Sequence, residues 1–140
     1  MRLRSAIVSS VASDSHTWNL VFLHLLLEEI GFEVANLGAS VPDDTLLSEC
    51  TQLEPDLVVI SSVNGHGYHD GIRVVRQLRS QPSLVNTPMV IGGKLGICGD
   101  LSPAEASSLI EAGFDAVFDD SSELASFTSF VCELPIRAAS

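Results

Sequence analysis

Short apolar runs alternate along this chain with longer stretches whose apolar residues recur at helical spacing. The apolar runs predict five strands, at residues 6–8 with Val11, 32–37, 56–61, 88–93 and 116–118. The longer stretches predict five helices, over about 18–30, from 42–44 onward, over about 70–79, over 103–112, and from 121–123 to about 132. Gly31 and Gly113 follow the first and fourth of these helices, where glycine commonly ends a helix.

The strict alternation of strands and helices indicates an α/β fold with a parallel sheet. The run at 56–61 is continuously apolar, which is typical of a strand that is buried on both faces. We therefore predict one doubly wound, flavodoxin/Rossmann-like domain over residues 1–140, with a five-stranded parallel sheet of order 2-1-3-4-5 and helices on both faces. Asp43 is predicted to cap the second helix, and the three arginines of the third helix are predicted to face outward.

Composition limits the classes of partner. Hydrophobic residues make up 46% of the chain and the mean hydropathy is +0.32, so one well-buried core is expected and disorder is excluded. The 18 acidic residues against 7 lysines and arginines give a net charge of -11, which argues against binding to nucleic acid or to an anionic membrane. A neutral cofactor or a less acidic protein partner is compatible with this charge.

The cysteines and the apolar stretches point to a cytoplasmic protein. Cys50, Cys98 and Cys132 are odd in number, widely spaced and without a CxxC pair, so neither a disulfide framework nor a zinc site is indicated. The longest nearly apolar stretch, 20–27, is far too short to span a bilayer, and the N-terminal run is too polar for a signal-peptide core.

Polar and glycine-rich segments follow three of the predicted strands. They cover residues 13–17 after the first strand, 61–67 after the third and 92–96 after the fourth. In the predicted strand order these three strands are adjacent, and ligands of such sheets bind at the carboxyl ends of the strands. The three segments are therefore expected to line one continuous surface.

The first of these segments, Ser13-Asp14-Ser15-His16-Thr17, presents an imidazole two residues after a carboxylate. If one ring nitrogen of His16 faces a metal, Asp14 can accept the N–H of the other and so fix the tautomer. The alternative is an ordinary loop histidine that titrates or hydrogen-bonds. A single imidazole is a poor zinc site, but it is sufficient for a metal that brings its own equatorial ligands, as in haem or a corrin.

The other two segments each have a structural and a functional interpretation. Ser61 and Ser62 either satisfy backbone groups at the end of a buried strand or hydrogen-bond a ligand between strands. Gly92 and Gly93 either make a tight strand exit or allow a bulky ligand to approach the backbone. Nucleotide phosphate binding is unsupported, because there is no Walker A ending and no GxGxxG after the first strand. A receiver domain would need an acceptor aspartate where the third strand has Ser61.

Taken together, these residues resemble the cobalamin-binding domains of B12-dependent mutases and methionine synthase, whose signature is Asp-x-His-x-x-Gly, Ser-x-Leu and Gly-Gly. The matching stretches run through the chain in order, at residues 13–16, 31–38, 56–67, 91–94 and 113–118. Two positions depart from the signature: Asn19 stands in place of its first glycine and Val63 in place of its leucine. Asparagine adopts left-handed backbone angles more readily than most residues, which makes the first departure milder.

The resemblance implies that the cofactor is adenosylcobalamin, with its dimethylbenzimidazole tail released from cobalt and held in a slot between strands. His16 would then be the lower axial ligand of cobalt, and Asp14 would bind the other nitrogen of its ring. The cofactor-binding residues that the resemblance implies are Ser13, Asp14, Ser15, His16, Thr17, Ser61, Ser62, Val63, Gly92, Gly93, Lys94, Leu95, Gly96 and Ile97.

Within this family the chain looks most like the small subunits of glutamate mutase, which interconverts L-glutamate and threo-3-methylaspartate by radical rearrangement. This implies a larger TIM-barrel subunit that holds the substrate and its catalytic residues, in an assembly of two small and two large subunits. The small chain is then expected to be inactive alone. The alternatives are a stand-alone corrinoid carrier or cobalamin sensor, and a cofactor-free flavodoxin-like interaction domain.

Overall fold

Strands and helices alternate along the chain in the computed structural model, which describes residues 4–11, 18–62, 67–92, 103–118 and 124–134. The elements are β1 (Arg4–Ser10), α1 (Trp18–Ile30), β2 (Phe32–Gly38), α2 (Asp43–Leu53), β3 (Leu57–Ser61), α3 (Gly67–Arg79), β4 (Met89–Gly92), α4 (Pro103–Ala112), β5 (Ala116–Phe118) and α5 (Leu124–Cys132). One 3-10 turn at Pro82–Leu84, which the sequence pattern did not predict, precedes β4. Within these ranges no helix is long and apolar enough to cross a membrane.

All five strands are parallel and pair in the order β2-β1-β3-β4-β5, which confirms the predicted fold class and strand order. Successive side chains of the central strands point to opposite faces of the sheet. Ile7 packs with α2, α3 and α4, whereas Ala6 and Val8 pack with α1 and α5. The sheet is therefore doubly wound, with an apolar core on each face.

Most helix boundaries agree with the sequence pattern. Gly31 and Gly113 follow α1 and α4 with φ of +118° and +143°, a region that residues with a side chain rarely adopt. The start of α2 at Asp43 is also as predicted, but its predicted capping role is wrong. Pro42 occupies the N-cap position without any side-chain hydrogen bond, and the Asp43 carboxylate lies within the first turn.

Asp43 instead pairs with α3. Its carboxylate accepts hydrogen bonds from Arg73 Nε at 2.6 Å and from Gln77 at 3.1 Å, and Arg73 also binds Asp70 at 2.7 Å. The Arg73 side chain is exposed, as predicted, and its two carboxylate partners raise the pKa of its guanidinium further. This network joins the first turn of α2 to α3 at the surface. An Asp side chain satisfied in this way is not available to cap its own helix.

The prediction that all three arginines of α3 face outward is wrong for the last one, because Arg79 faces inward. Its guanidinium donates from Nε to the Gly113 carbonyl at 2.9 Å and from Nη1 to the carbonyls of Leu84 and Thr87 at 2.8 Å each. Nη2 forms an ion pair with Asp115 at 2.9 Å. One side chain thus joins the ends of α3 and α4 to the segments that lead into β4 and β5.

Cys50 belongs to the core rather than to a reactive site. Its side chain is fully buried on α2, and this burial raises the pKa of the thiol to about 12. The thiolate is the nucleophilic form of cysteine, so a thiol that stays protonated here is inert.

Replacing Arg79 by methionine is expected to lower the free energy of unfolding by about 2–3 kcal/mol, because several buried or half-buried carbonyls lose a charged donor at once. Urea unfolding followed by circular dichroism measures the change. The matched control is Arg76→Met on the same helix, where the arginine is exposed and a change within about 0.5 kcal/mol is expected. Equal effects of the two substitutions would show that the Arg79 contacts contribute nothing.

Candidate functional site at the carboxyl edge of the sheet

The carboxyl ends of the three central strands form one continuous row. Ser10 of β1 is in register with Ser61 of β3, and Ser61 is in register with Gly92 of β4. Phe118 of β5 extends this row beyond Gly92. The prediction that the first, third and fourth strands are adjacent is confirmed, and it brings Ser61, Ser62 and Gly92 together at one edge.

Two consecutive serines lie at the carboxyl end of β1 and of β3, where Ser62 is one residue past the strand. All four hydroxyl-bearing residues, Ser9, Ser10, Ser61 and Ser62, are at most 3% exposed. Ser61 and Ser62 were predicted as site residues, whereas Ser9 and Ser10 were not. The signal was present, because the same Ser-Ser pair follows a buried apolar run in each strand. Buried serines combine small volume with hydrogen-bonding capacity, which suits the contact of a sheet edge with a polar ligand.

Hydrogen bonds fix the backbone at this edge. The Ser62 N–H donates to the Gly92 carbonyl at 3.0 Å, so the β3–β4 pairing continues one residue past β3. The Ser9 hydroxyl donates to the Ser10 carbonyl at 3.0 Å. On the other side of β1 the register with β2 slips, since Val8 pairs with Asn36 but Ser9 pairs with Gly38. The end of β1 thus diverges locally from β2, and such irregularities are frequent next to functional sites.

Gly92 has a structural reason to be glycine. A Cβ added there would lie 3.0 Å from the Phe118 carbonyl oxygen, which is tighter than ordinary contact between such atoms. The backbone of β5 therefore occupies the space where a side chain would be. This supports the tight-exit interpretation for Gly92 itself, and it holds β5 close to the candidate edge.

The residues next to the strand ends differ between the two edges of the sheet. At the amino edge, Asp56 accepts the Ser5 N–H at 2.8 Å and Asp115 accepts the Met89 N–H at 2.8 Å. At the carboxyl edge, the residues that end the described strands are serine, glycine and phenylalanine. Serine and glycine at the strand ends leave room for a large ligand close to the backbone.

Part of the predicted site lies outside the described residues. These are Ser13 to Thr17 with the proposed ligand His16, then Val63, and then Gly93 to Ile97. All three segments begin one or two residues after a described stretch of the chain. Asn19 is described and lies within α1, so it has a helical backbone and not the left-handed conformation considered for it.

Comparison with known proteins defines the class to which the chain belongs. Residues 4–124 match the B12 binding domain family, so this chain is a member of that family. Among curated proteins it is similar to the glutamate mutase sigma subunit of Fusobacterium nucleatum, with 27% identity over 118 residues that cover 84% of this chain and 86% of that one. It is also similar to the glutamate mutase sigma subunit 1 of Haloarcula marismortui, with 29% identity over 83% of this chain and 76% of that one.

Solved structures confirm the fold. A cobalamin-binding protein from Desulfitobacterium hafniense superimposes with a TM-score of 0.76 at 19% identity, over 95% of this chain. This chain spans only 59% of that protein. The signal receiver domain of a DNA-binding response regulator from Colwellia psychrerythraea superimposes with a TM-score of 0.71 at 15% identity, over 94% of this chain and 97% of that one. The architecture is thus shared by proteins of different function.

Substitution of Gly92 by alanine is expected to lower the free energy of unfolding by about 1–3 kcal/mol, because the new methyl group presses on a strand backbone that cannot rotate away. Chemical denaturation gives the change. Ser107→Ala is the control, at an exposed residue of α4, where a change within about 0.5 kcal/mol is expected. A cost at Gly92 that is no larger than this would refute this account of the edge.

Proposed function

We propose that this chain is the cobalamin-binding subunit of a glutamate mutase, with residues 1–140 acting as one cofactor domain. The observation that carries the proposal is the row of small residues at the carboxyl edge, from Ser10 through Ser61 to Gly92. The His16 segment follows the first of these strands directly. Membership of the B12-binding family and the similarity to sigma subunits support the same proposal.

The described residues fit a macrocyclic cofactor with a long tail. Ser10 and Ser61 lie side by side in register on the adjacent strands β1 and β3, and both are small and buried. In the proposal, Ser61, Ser62 and Val63 line a slot for the tail, and the segment from Gly92 to Ile97 passes beside it. Hydroxyl groups there can bond the polar edge of the tail without filling its space.

The residues that follow β1 hold the metal side of the cofactor in this proposal. His16 would bind the cobalt through one imidazole nitrogen, and Asp14 would accept the N–H of the same ring and set its orientation. Ser13, Ser15 and Thr17 border the macrocycle. When bound, adenosylcobalamin supplies a radical through homolysis of its cobalt–carbon bond, while the protein supplies binding, orientation and exclusion of water.

Substrate chemistry is assigned to a larger TIM-barrel subunit, in an assembly of two small and two large chains. The relatives are named as subunits, which supports a separate catalytic companion. The cofactor-loaded small chain alone is expected to give no conversion of L-glutamate to 3-methylaspartate, and addition of the larger subunit is expected to restore it. Chromatography of the amino acids reads the product directly. Turnover by the small chain alone would contradict the division of labour.

Substitution of His16 by alanine is expected to remove the histidine-ligated form of bound cobalamin. The measurement is a titration with hydroxocobalamin followed by visible spectra, and electron paramagnetic resonance of the reduced cobalt(II) form, in which a nitrogen ligand splits the signal. Asp14→Asn is expected to weaken binding by about 10- to 100-fold, because His16 loses its orienting partner.

The control for this experiment is His24→Ala, which removes a histidine that lies on α1 beside Glu28 at 3.4 Å. It is expected to leave the spectra unchanged. If the nitrogen splitting persists in both histidine variants, the lower ligand of cobalt is neither of these two histidines. If the unmodified protein does not bind cobalamin at all, a cofactor-free interaction domain replaces the proposal.

A further inference from the structure

The outward side of α1 carries a cluster of exposed apolar side chains. Val21, Phe22 and Leu25 are 42%, 46% and 60% exposed, and we call these three residues the α1 patch. The other large apolar side chains with comparable exposure in the described ranges stand singly, at Leu53, Val85 and Ile110. Single exposed apolar residues are normal on a protein surface, whereas a contiguous group indicates an interaction site.

The core formed by the described residues does not include the α1 patch. Leu20, Leu23 and Leu27 bury the opposite side of the same helix against the sheet. Val21 and Leu25 lie one turn apart on the outward side, so they cannot contact that core. The packing of the described core therefore does not explain the apolar character of these positions.

The path of the chain places the patch near the candidate site. β1 ends at the carboxyl edge, and β2 begins with Phe32 in register with Arg4 at the amino edge. α1 connects them, so it runs from the carboxyl edge back to the amino edge. Val21 and Phe22 lie in its first half and Leu25 lies just past its middle, so the α1 patch is nearer to the carboxyl edge than Glu28 and Glu29 are.

Charge decides between a second copy of this chain and a different partner. Glu28 and Glu29 are exposed on the turn that follows the patch. If two copies paired through α1 in parallel, these carboxylates would meet their own counterparts. If they paired antiparallel about the patch, the carboxylates would lie against the first turn of α1 of the other copy, where residues 18–21 offer no basic side chain to pair with them. The net charge of -11 on each chain adds to this repulsion.

We infer that the α1 patch is a docking surface for the larger mutase subunit, at an apolar area of that subunit bordered by lysine or arginine. This inference rests on the proposed function, since it names the partner surface of the same assembly. The apolar side chains supply the buried centre of the contact, and Glu28 and Glu29 supply its charged rim. Docking here brings the partner beside the carboxyl edge of the sheet, where the cofactor is proposed to bind.

The test measures association of the cobalamin-loaded chain with the purified larger glutamate mutase subunit of the same organism, by sedimentation velocity. Leu25→Glu places a carboxylate in the middle of the patch and is expected to weaken association at least about tenfold. Phe22→Ala is expected to weaken it in the same direction. Replacing Glu28 and Glu29 by glutamine is expected to reduce the salt dependence of the association.

The matched control is Ile110→Glu, at an exposed apolar residue on α4, which covers the other face of the sheet. It is expected to leave association unchanged, and all variants are expected to bind hydroxocobalamin like the unmodified chain. Association that is as tight in both patch variants as in the unmodified chain would overturn the inference. So would a failure of the unmodified, cobalamin-loaded chain to bind the larger subunit, or a dimer of this chain alone that Leu25→Glu dissociates. Failure of the proposed function is distinguishable, because it appears as absent cobalamin binding before any partner is added.

Discussion

Burial of both faces of the three central strands is the constraint on which the rest of this structure depends. Neighbouring side chains such as Ile7 and Val8 enter opposite cores, so helices must cover the sheet on both sides. Helical crossovers between parallel strands bring every strand back in the same direction. All carboxyl ends then lie at one edge, and the polar residues that cannot enter either core collect there.

The residues at the two edges of the sheet consequently have different roles. At the amino edge, Asp56 and Asp115 bind backbone amides of the neighbouring strands, and Arg79 connects helix ends to the segments before β4 and β5. Charged groups are tied into the scaffold at this edge. At the carboxyl edge, Ser61 and Gly92 leave small, neutral strand ends, which suits the binding of a bulky cofactor.

The fold alone does not distinguish a cobalamin-binding domain from a receiver domain, since both superimpose on this chain with TM-scores above 0.7. The distinction lies in the residues that the shared sheet presents at its carboxyl edge. Ser61 and Ser62 stand at the end of β3, where a phosphate-accepting domain would need a carboxylate. Family membership and the residues at the end of β3 therefore both favour a B12-binding domain over a receiver domain. The shared architecture only determines where these residues lie.

Local periodicity was enough to predict the elements, as the agreement for α1 and β5 shows, because the spacing of apolar residues directly reflects helix or strand geometry. It also placed Ser61 and Gly92 at one edge, since strand order determines which ends are neighbours. Only the tertiary structure revealed that Arg79 turns inward, because its partners lie up to 36 residues away along the chain. The sequence pattern also did not show which side of α1 is exposed. That helix is apolar nearly all round, and only packing against the sheet decides which of its leucines are buried.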